Sequence, residues 1–271
     1  LRGRLQKAVF SAGNFESAVA GTETGEYGIS QLAALREATD AAYDLINSPE
    51  ALSAAKTESA EKKIAQTLDE FKKSRKMSEN GKNYLVYENY DKQLIGFAPY
   101  GYTEFGIKLS PDAVVRRDAD GDGYFNLRAF KEQANTEKIF AGYEFAAQSG
   151  SVTLETVMSF NEAEWGSLYL LNEHGENAVC VAFEYVYGKY NLVAYDGGVK
   201  KTVASYTRNV PLEIKIEVSA SDNTFCVYAG GELAAEDFAF RNDSMSVDAV
   251  MFGSSARDAD MRIYEIRVYG E

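Results

Sequence analysis

The chain has 271 residues, of which 45% are hydrophobic and 25% charged, so it is long enough for one large or two ordinary globular domains. Its net charge of −13 opposes binding to nucleic acid and to an anionic membrane surface. It has no apolar run of the roughly 18 residues that span a bilayer, and residues 1–7 lack the apolar segment of a signal peptide. We therefore expect neither nucleic acid nor a membrane as a partner.

The N-terminal part of the chain has helical periodicity. Apolar residues recur three and four positions apart in two stripes, as expected for helices with one buried face. The stripes contain Leu32, Leu35, Ala38, Ala42, Leu45 and Ile46, and then Ala60, Ile64, Leu68 and Phe71. The pattern predicts helices over residues 5–20, 29–47 and 49–75, the third with Ser48 as its N-cap and Pro49 in its first position. Three such helices predict a small antiparallel bundle over residues 1–78.

From about residue 79 the period changes to two, and Gly, Asn and Asp separate short runs. The predicted strands cover residues 84–87, 113–117, 124–130, 138–145, 151–160, 167–172, 178–187, 190–196, 199–206, 212–219, 224–229, 232–238, 246–254 and 261–269. Many short strands with no helix between them predict an antiparallel β-sandwich of the jelly-roll type over residues 79–271. The predicted fold class is therefore α+β, with a three-helix bundle followed by a sandwich.

The segment RRDADGDGYFNLRAF, residues 116–130, has three aspartates at alternate positions, Asp118, Asp120 and Asp122. An EF-hand loop that began at Asp118 would place Ala129 at the twelfth position, where a Glu ligand is needed. The flanking residues also alternate like strands and not like helices. Two interpretations stay open: a hairpin turn built on the repeated Asp-Gly, or a structural Ca²⁺ site of another kind that uses the three aspartates.

The sequence offers little for catalysis. It has no motif of a known catalytic class, and its only histidine, His174, lies in the loop-like stretch NEHGENA, where we expect exposure to solvent. Glu155 stands alone in its strand. Glu213 and Glu217 share a strand face about 13 Å apart, farther than a catalytic pair of carboxylates. We therefore predict that this chain is not an enzyme.

The chain has two cysteines, Cys180 and Cys226, both in strand-like runs. They are either two free thiols that pack as small apolar groups or a cross-strand disulfide. Two residues do not decide between these alternatives.

Aromatic side chains of the sandwich are candidates for a sugar-binding surface, because flat rings present a large rigid surface and planar polar groups can orient hydroxyls. The candidates are Trp165, Tyr169, Tyr185, Tyr187 and Tyr190, with Arg208 as a polar fork. Alternation predicts that Tyr185 and Tyr187 share one face of the hairpin 183–195. Tyrosine is also favoured in strands that only build a core, so a structural role is the alternative at each position.

Several segments resemble a known family of modules. YENYDKQLIGFAPYGY, residues 87–102, with Gly96, Pro99 and Gly101 in its turn, resembles the opening of concanavalin A-like or laminin G-like jelly-roll modules in bacterial polysaccharide-degrading proteins. VVRRDADGDGYFNLRAF, FAAQSGSVTLETVMSF and MRIYEIRVYG resemble the next hairpin, the strand after it and the closing strand of those modules. GEYGISQLAALREATDAA and LDEFKKS resemble the FIVAR-type helical bundles found beside them.

The resemblance implies a secreted or surface-attached protein of several modules, such as a polysaccharide lyase or a glycoside hydrolase. This chain would be an ancillary, non-catalytic carbohydrate-binding part of it. Its partners would be a polysaccharide or oligosaccharide and the other domains of the same protein. Two alternatives are a structural spacer or adhesion module without a glycan site, and a non-catalytic part that packs beside a catalytic domain.

Overall fold

The computed structural model of the protein describes residues 1–13, 15, 18–105, 113–128, 139–161, 165–254 and 259–270. The chain divides into two compact units, Leu1–Glu79 and Asn80–Glu271. None of the described helices is long and apolar enough to cross a bilayer.

The first unit contains three α-helices. α1 spans Arg2–Ser11, α2 spans Ile29–Asn47 and α3 spans Ala54–Lys73. Each helix buries one apolar face, and in α2 and α3 the buried residues follow the two stripes seen in the sequence. The loop before α2 packs on α3, where the ring of Tyr27 stacks on Phe71 with centroids 4.4 Å apart. The unit is thus a three-helix arrangement, as predicted, while its likeness to FIVAR-type bundles stays a prediction.

Two helix boundaries differ from the prediction. α1 ends at Ser11 and not at residue 20, because Gly13 follows with a φ of +77°, a left-handed conformation that stops a helix. Residues 14, 16 and 17 of the predicted helix lie outside the described residues. α3 begins after Ser53, whose side chain accepts a hydrogen bond from the amide of Lys56. The predicted start at Pro49, with Ser48 as the N-cap, is therefore wrong.

The strands lie almost entirely in the second unit. A two-residue strand, β1 (Ser78–Glu79), ends the first unit. The strands of the second unit are β2 (Lys82–Asn89), β3 (Thr103–Glu104), β4 (Ala113–Arg117), β5 (Gly123–Arg128), β6 (Ile139–Gln148), β7 (Ser151–Phe160), β8 (Trp165–Asn172), β9 (Asn177–Val186), β10 (Lys189–Asp196), β11 (Val199–Ser205), β12 (Leu212–Ser219), β13 (Thr224–Ala229), β14 (Glu232–Ala239), β15 (Val247–Ser254) and β16 (Asp260–Gly270).

These strands form two antiparallel sheets. In the first sheet the order is β2-β16-β7-β12-β13-β14, with β5 beside β16 and β4 beside β5. In the second sheet the order is β11-β10-β9-β8-β15-β6-β3. Alternate residues of both sheets meet in one core that contains, among others, Leu154 and Ile216 from the first sheet and Phe183 and Phe252 from the second. The result is the predicted jelly-roll β-sandwich.

All fourteen predicted strands are present within a few residues of their predicted bounds. Residues 129–130 and 138 of two predicted strands lie outside the described residues. The prediction misses β1 and β3, because two residues are too few to show a period of two. It also carries β9 one residue too far, to Tyr187, and this error matters for the candidate site.

Candidate functional site

The outward face of the first sheet is a row of paired charges and tyrosines. The cross-strand registers place five residues side by side on β13, β12, β7, β16 and β2. In that order they are Tyr228, Lys215, Glu155, Arg267 and Tyr87. We call this surface the ion-pair face. It is the polar, solvated face that an antiparallel sheet usually turns away from its core.

The side chains of the ion-pair face satisfy one another. The ammonium of Lys215 lies 3.9 Å from the ring centroid of Tyr228. The guanidinium of Arg267 is 3.8 Å from the Glu155 carboxylate. Glu155 also accepts a hydrogen bond of 2.7 Å from the hydroxyl of Tyr269. Each charge in the row is therefore held by a neighbour within the sheet.

The carboxylates that the sequence offered for catalysis lie on this same face. Glu155 is held as just described, and Glu217 accepts hydrogen bonds from Lys215 at 2.8 Å and from the Tyr228 hydroxyl at 2.9 Å. The bond from Lys215 lowers the pKa of Glu217, which keeps it an anion. Glu213 is exposed on the same strand. Glu155 and Glu217 thus act as ion-pair partners on an open sheet surface.

The outward face of the second sheet is different, because its centre is apolar. Five residues form a second buried cluster on this side, each no more than 9% exposed. They are Tyr169, Leu171, Cys180, Ala249 and Met251. Four further rings pack on this layer, from Phe105, Phe140, Trp165 and Tyr195. We call this surface, defined by these four rings and Tyr169, the aromatic face.

The buried layer beneath the rings contains no reactive nucleophile among the described residues. Burial raises the pKa of the Cys180 thiol to about 12, so the thiol stays protonated and is a poor nucleophile. Burial also raises the pKa of the Tyr169 hydroxyl. Both cysteines are free, and they lie on different sheets, Cys180 on β9 and Cys226 on β13. The disulfide alternative is thereby excluded.

Charged side chains lie over the rings at one end of the aromatic face. The rings of Trp165 and Tyr195 meet edge to face with centroids 6.4 Å apart. The ammonium of Lys200 lies 5.8 Å from the Trp165 centroid, and the guanidinium carbon of Arg241 lies 4.8 Å from the Tyr195 centroid. Lys200 also forms an ion pair with Glu184, the residue that faces Trp165 across the sheet.

A surface depression of about 430 Å³ lies beside Trp165. It is lined by Trp165, Glu184, Tyr185, Val186 and Tyr187. These residues come from the start of β8, from the end of β9 and from the turn that follows β9. The depression therefore brings together two aromatic residues and one charged residue. They are Trp165, Tyr187 and Glu184.

Tyr187 occupies an unusual position in the turn between β9 and β10. Val186 pairs with Lys189, so Tyr187 and Gly188 form a two-residue hairpin turn, and both have positive φ, 51° and 78°. Among the described residues, the other non-glycine positions with positive φ hold Asn or Asp: Asn80, Asn209, Asn223 and Asp237. Tyr187 alone of these is a large residue, and it is 98% exposed.

The predicted pair of Tyr185 and Tyr187 on one strand face is wrong, because Tyr187 belongs to the turn and not to the strand. Tyr185 instead stacks on Tyr190 of β10 with centroids 4.8 Å apart. Tyr190 in turn packs edge to face on the ring of Tyr206, 5.4 Å away, and on the main core. Tyr185 and Tyr190 therefore close the end of the sandwich, and Tyr185 reaches the depression only at its margin.

The remaining predicted residues occupy separate places. Tyr169 is 9% exposed and forms part of the floor of the aromatic face. Arg208 is exposed in the loop between β11 and β12. Of the six residues predicted for sugar binding, Trp165, Tyr185 and Tyr187 line the same depression.

Sequence reasoning missed Glu184, Tyr195, Lys200 and Arg241. Tyr195 lies in the same hairpin as Tyr185, and counting in steps of two from Lys189 would place it on the outward face. Arg241 is far along the chain, and backbone hydrogen bonds from its own amide to the Ala178 carbonyl and from the Gly197 amide to the Ala239 carbonyl bring it to Tyr195. No short motif in the sequence indicates that contact.

The aspartate run forms a hairpin turn, as one of its two interpretations predicted. β4 and β5 pair from Ala113 to Arg117, and the turn closes when the Asp118 carboxylate accepts hydrogen bonds from the amides of Asp120 and Asp122, both 3.0 Å long. Among the described residues, no group of three or more His, Cys, Asp or Glu side chains is arranged to hold a metal ion. Calcium at the three aspartates therefore stays an untested prediction.

His174 lies in the turn between β8 and β9, with 69% of its side chain exposed. Its ring nitrogen is 3.7 Å from the Glu173 carboxylate. The turn is held by the Asn172 side chain, which accepts hydrogen bonds from the amides of His174 and Glu176. The expected exposure of this histidine is confirmed.

Comparison with known proteins supports the fold. No family model matches the chain, and no curated protein matches its sequence. One similar solved structure belongs to work on endo-acting O-glycanases with which human gut microbiota initiate mucin breakdown. It has a TM-score of 0.51 and 10% identity over 70% of this chain and 100% of that one. Another is a sialidase, with a TM-score of 0.50 and 11% identity over 63% of this chain. The match spans only 17% of the sialidase.

Proposed function

We propose that the sandwich is a non-catalytic glycan-binding module, and that it binds its glycan in the depression bordered by Trp165 and Tyr187. The observation that carries this proposal is Tyr187. A left-handed conformation costs a residue with a side chain about 1–2 kcal/mol, and an exposed ring recovers almost nothing from packing. An aromatic side chain kept at such a position is best explained by contact with a molecule outside the chain.

The other walls of the depression suit a sugar. The Trp165 ring offers a flat apolar surface for the CH face of a pyranose, and aromatic rings do so with little loss of conformational entropy. Glu184 accepts hydrogen bonds and Lys200 donates them, so together they match a hydroxyl group in either role. A concave site with apolar walls and a few converging polar groups is the usual form of a ligand site.

A catalytic role has little support in the described residues. Glu155 and Glu217 are held in ion pairs on the opposite outward face, and the Cys180 thiol is buried and protonated. Only Glu184 stands at the depression, and glycoside hydrolysis uses a pair of carboxyl groups. We therefore propose that the module binds and does not cleave.

The setting that we propose is a secreted or surface-attached protein with several modules. The two structural neighbours come from work on O-glycanases and from a sialidase, and both agree with a module that serves a glycan-degrading protein. Because the match spans a small part of the sialidase, the catalytic partner would be another domain. Calcium is not needed for the proposed binding, since none of the lining residues is one of the three aspartates.

Affinity electrophoresis against neutral and acidic polysaccharides tests the proposal. The native protein should be retarded by at least one polymer, and Tyr187→Asn should lose most of that retardation. Asn tolerates the left-handed turn, so this variant removes the ring without straining the backbone. Trp165→Ala should have an equal or larger effect.

The matched control is Tyr43→Ala, which removes a half-exposed tyrosine from α2. It should bind like the native protein. If no polymer retards the native protein, the module is a spacer. If the native protein binds and both site variants bind equally well, the glycan lies elsewhere on the surface.

A further inference from the structure

We infer that the glycan bound at this site is acidic, and that Arg241 receives its carboxylate or sulfate group. This inference rests on the proposed function, because it names the class of ligand for the same site. It comes from the cations that lie over the rings of the aromatic face and at the hairpin tip.

Three cations lie at the hairpin tip and over the rings of the aromatic face. Strand alternation places Lys189, Asn191, Val193 and Tyr195 of β10 on the outward side, since Leu192 and Ala194 point into the core. Lys189 stands next to the turn at the hairpin tip.

Two further cations complete the group. Lys200 lies over Trp165, and Arg241 lies over Tyr195. Among the residues that line the depression, Glu184 is the one carboxylate, and it pairs with Lys200.

Arg241 is the cation best placed to bind an anion. It is exposed, and its guanidinium forms no ion pair within the described part of the chain. The guanidinium lies against the Tyr195 ring and within reach of the Cys180 thiol, while the residue as a whole stays exposed to solvent. A planar guanidinium can bind a carboxylate or a sulfate through two parallel hydrogen bonds, which a single ammonium cannot do.

The distances allow one glycan molecule to contact both Trp165 and Arg241. Trp165 and Tyr195 are in edge contact at 6.4 Å, and Arg241 lies on the far ring of that pair. A sugar placed on Trp165 can therefore have a neighbour in the same polymer whose acidic group reaches Arg241.

The negative net charge of the protein makes local cations informative about the ligand. A chain with a formal charge of −13 repels a polyanion at long range, so an acidic glycan needs local cations to bind at all. On the ion-pair face, Lys215 and Arg267 are matched by carboxylates. At the aromatic rings, Lys200 is paired with Glu184, whereas Arg241 has no carboxylate partner within the described residues. A cation without such a partner is what recognition of an acidic polymer requires.

Titration calorimetry with three polymers tests the inference: polygalacturonate, dextran sulfate and neutral dextran. The full chain should prefer an acidic polymer, and its affinity should fall as the salt concentration rises. Arg241→Gln should weaken that binding about tenfold, the usual loss for one charge-assisted contact. Arg241→Lys should recover part of the loss. Lys63→Gln, an equal change of charge on the exposed side of α3, should bind like the native protein.

Lys189→Gln supplies a second test that does not depend on the fold around Arg241, because Lys189 is exposed at the hairpin tip. It should weaken binding to the acidic polymer less than Arg241→Gln does. The comparison of sulfate with carboxylate polymers identifies the source of the negative charge.

The inference is overturned if neutral dextran binds as tightly as the acidic polymers, or if Arg241→Gln and Lys189→Gln both bind like the native protein. The proposed function survives either result as long as Trp165→Ala and Tyr187→Asn abolish binding. If those two variants also bind normally, the proposed function fails together with the inference.

Discussion

The two outward faces of the sandwich differ in how completely their side chains satisfy one another. Both faces contain tyrosines with a cation over the ring, such as Lys215 on Tyr228 and Arg241 on Tyr195. On the ion-pair face, Lys215 also has a carboxylate partner in Glu217. On the aromatic face, Arg241 contacts the Tyr195 ring and the Cys180 thiol but has no carboxylate partner within the described residues. A cation over an aromatic ring therefore does not indicate a binding site by itself. A cation at a ring that lacks a carboxylate partner does.

The two sheets also differ in the residues that occupy their hairpin turns. On the aromatic side, the hairpin tip holds Tyr187 in a left-handed conformation. The turn that precedes β14 on the other sheet uses Gly230 and Gly231, with φ of 59° and 84°, which adopt such conformations without strain. A turn that serves only to connect two strands takes the residue that fits it best. The presence of tyrosine at the other turn favours a role in binding.

The largest expected difference between the faces is in stability. Tyr169→Ala removes a buried ring from the floor of the aromatic face and should lower the free energy of unfolding by about 3 kcal/mol. Tyr228→Ala removes a ring from the ion-pair face and should cost clearly less, because Tyr228 is in neither buried cluster. Urea denaturation of both variants measures the two values. Equal losses would mean that the aromatic face has no buried second layer.

A smaller effect of opposite sign is expected at the hairpin tip. Tyr187→Gly replaces a strained residue by one that adopts positive φ freely, so the free energy of unfolding should rise by up to about 1 kcal/mol. The control is Gly188→Ala in the same turn, which should be destabilising. If Tyr187→Gly lowers stability, the tyrosine contributes to the fold and the case for a binding role loses its basis.

The ion pair of Lys215 and Glu217 should stabilise the folded protein only within a defined range of pH. The bond with Lys215 lowers the pKa of Glu217, so this stabilisation is complete above the ordinary value of about 4.5 and is lost as the pH falls. The bond with Glu217 raises the pKa of Lys215, so that part persists below 10.5 and is lost at higher pH. Glu217→Gln should therefore cost less than about 1 kcal/mol at neutral pH and nothing in acid.

Thermal unfolding at several pH values measures the Glu217→Gln effect. The same variant should leave glycan binding unchanged, because the binding site is on the other face. A cost that persists at low pH would assign Glu217 a packing role in place of an electrostatic one.

No effect is expected from removal of metal ions. The Asp118 carboxylate holds its own turn through two backbone amides, so a chelator should leave the melting temperature of the protein unchanged. Differential scanning fluorimetry with EDTA, and with EDTA followed by excess Ca²⁺, gives the comparison. A clear fall that Ca²⁺ reverses would restore the calcium interpretation of Asp118, Asp120 and Asp122.

Much of the fold follows from local pattern. Alternation located every strand of five or more residues, and the stripes of Leu35 and Ile64 located α2 and α3. What failed depended on single residues: Gly13 ends α1 early, and Ser53 starts α3 late. Gly13 acts through its left-handed backbone and Ser53 through a cap hydrogen bond, and a periodic pattern of apolar residues contains neither.

The site was only partly predictable for a related reason. Trp165 and Tyr187 were found as conspicuous aromatics, but the turn that exposes Tyr187 shifts it off the strand face by one residue. Glu184 and Lys200 face Trp165 only through cross-strand pairing. Arg241 reaches Tyr195 from a loop that follows four further strands along the chain. Contacts of this range depend on topology, and a short stretch of sequence does not carry them.

Fluorescence of the single tryptophan tests the central claim most directly. The chain contains one Trp, so selective excitation reports on Trp165 alone. With a polymer that retards the protein in affinity electrophoresis, we expect a saturable change in emission and protection from a soluble quencher, with Tyr187→Asn requiring more polymer. A polymer that binds the protein while the emission and quenching of Trp165 stay unchanged would contradict a glycan site at this depression.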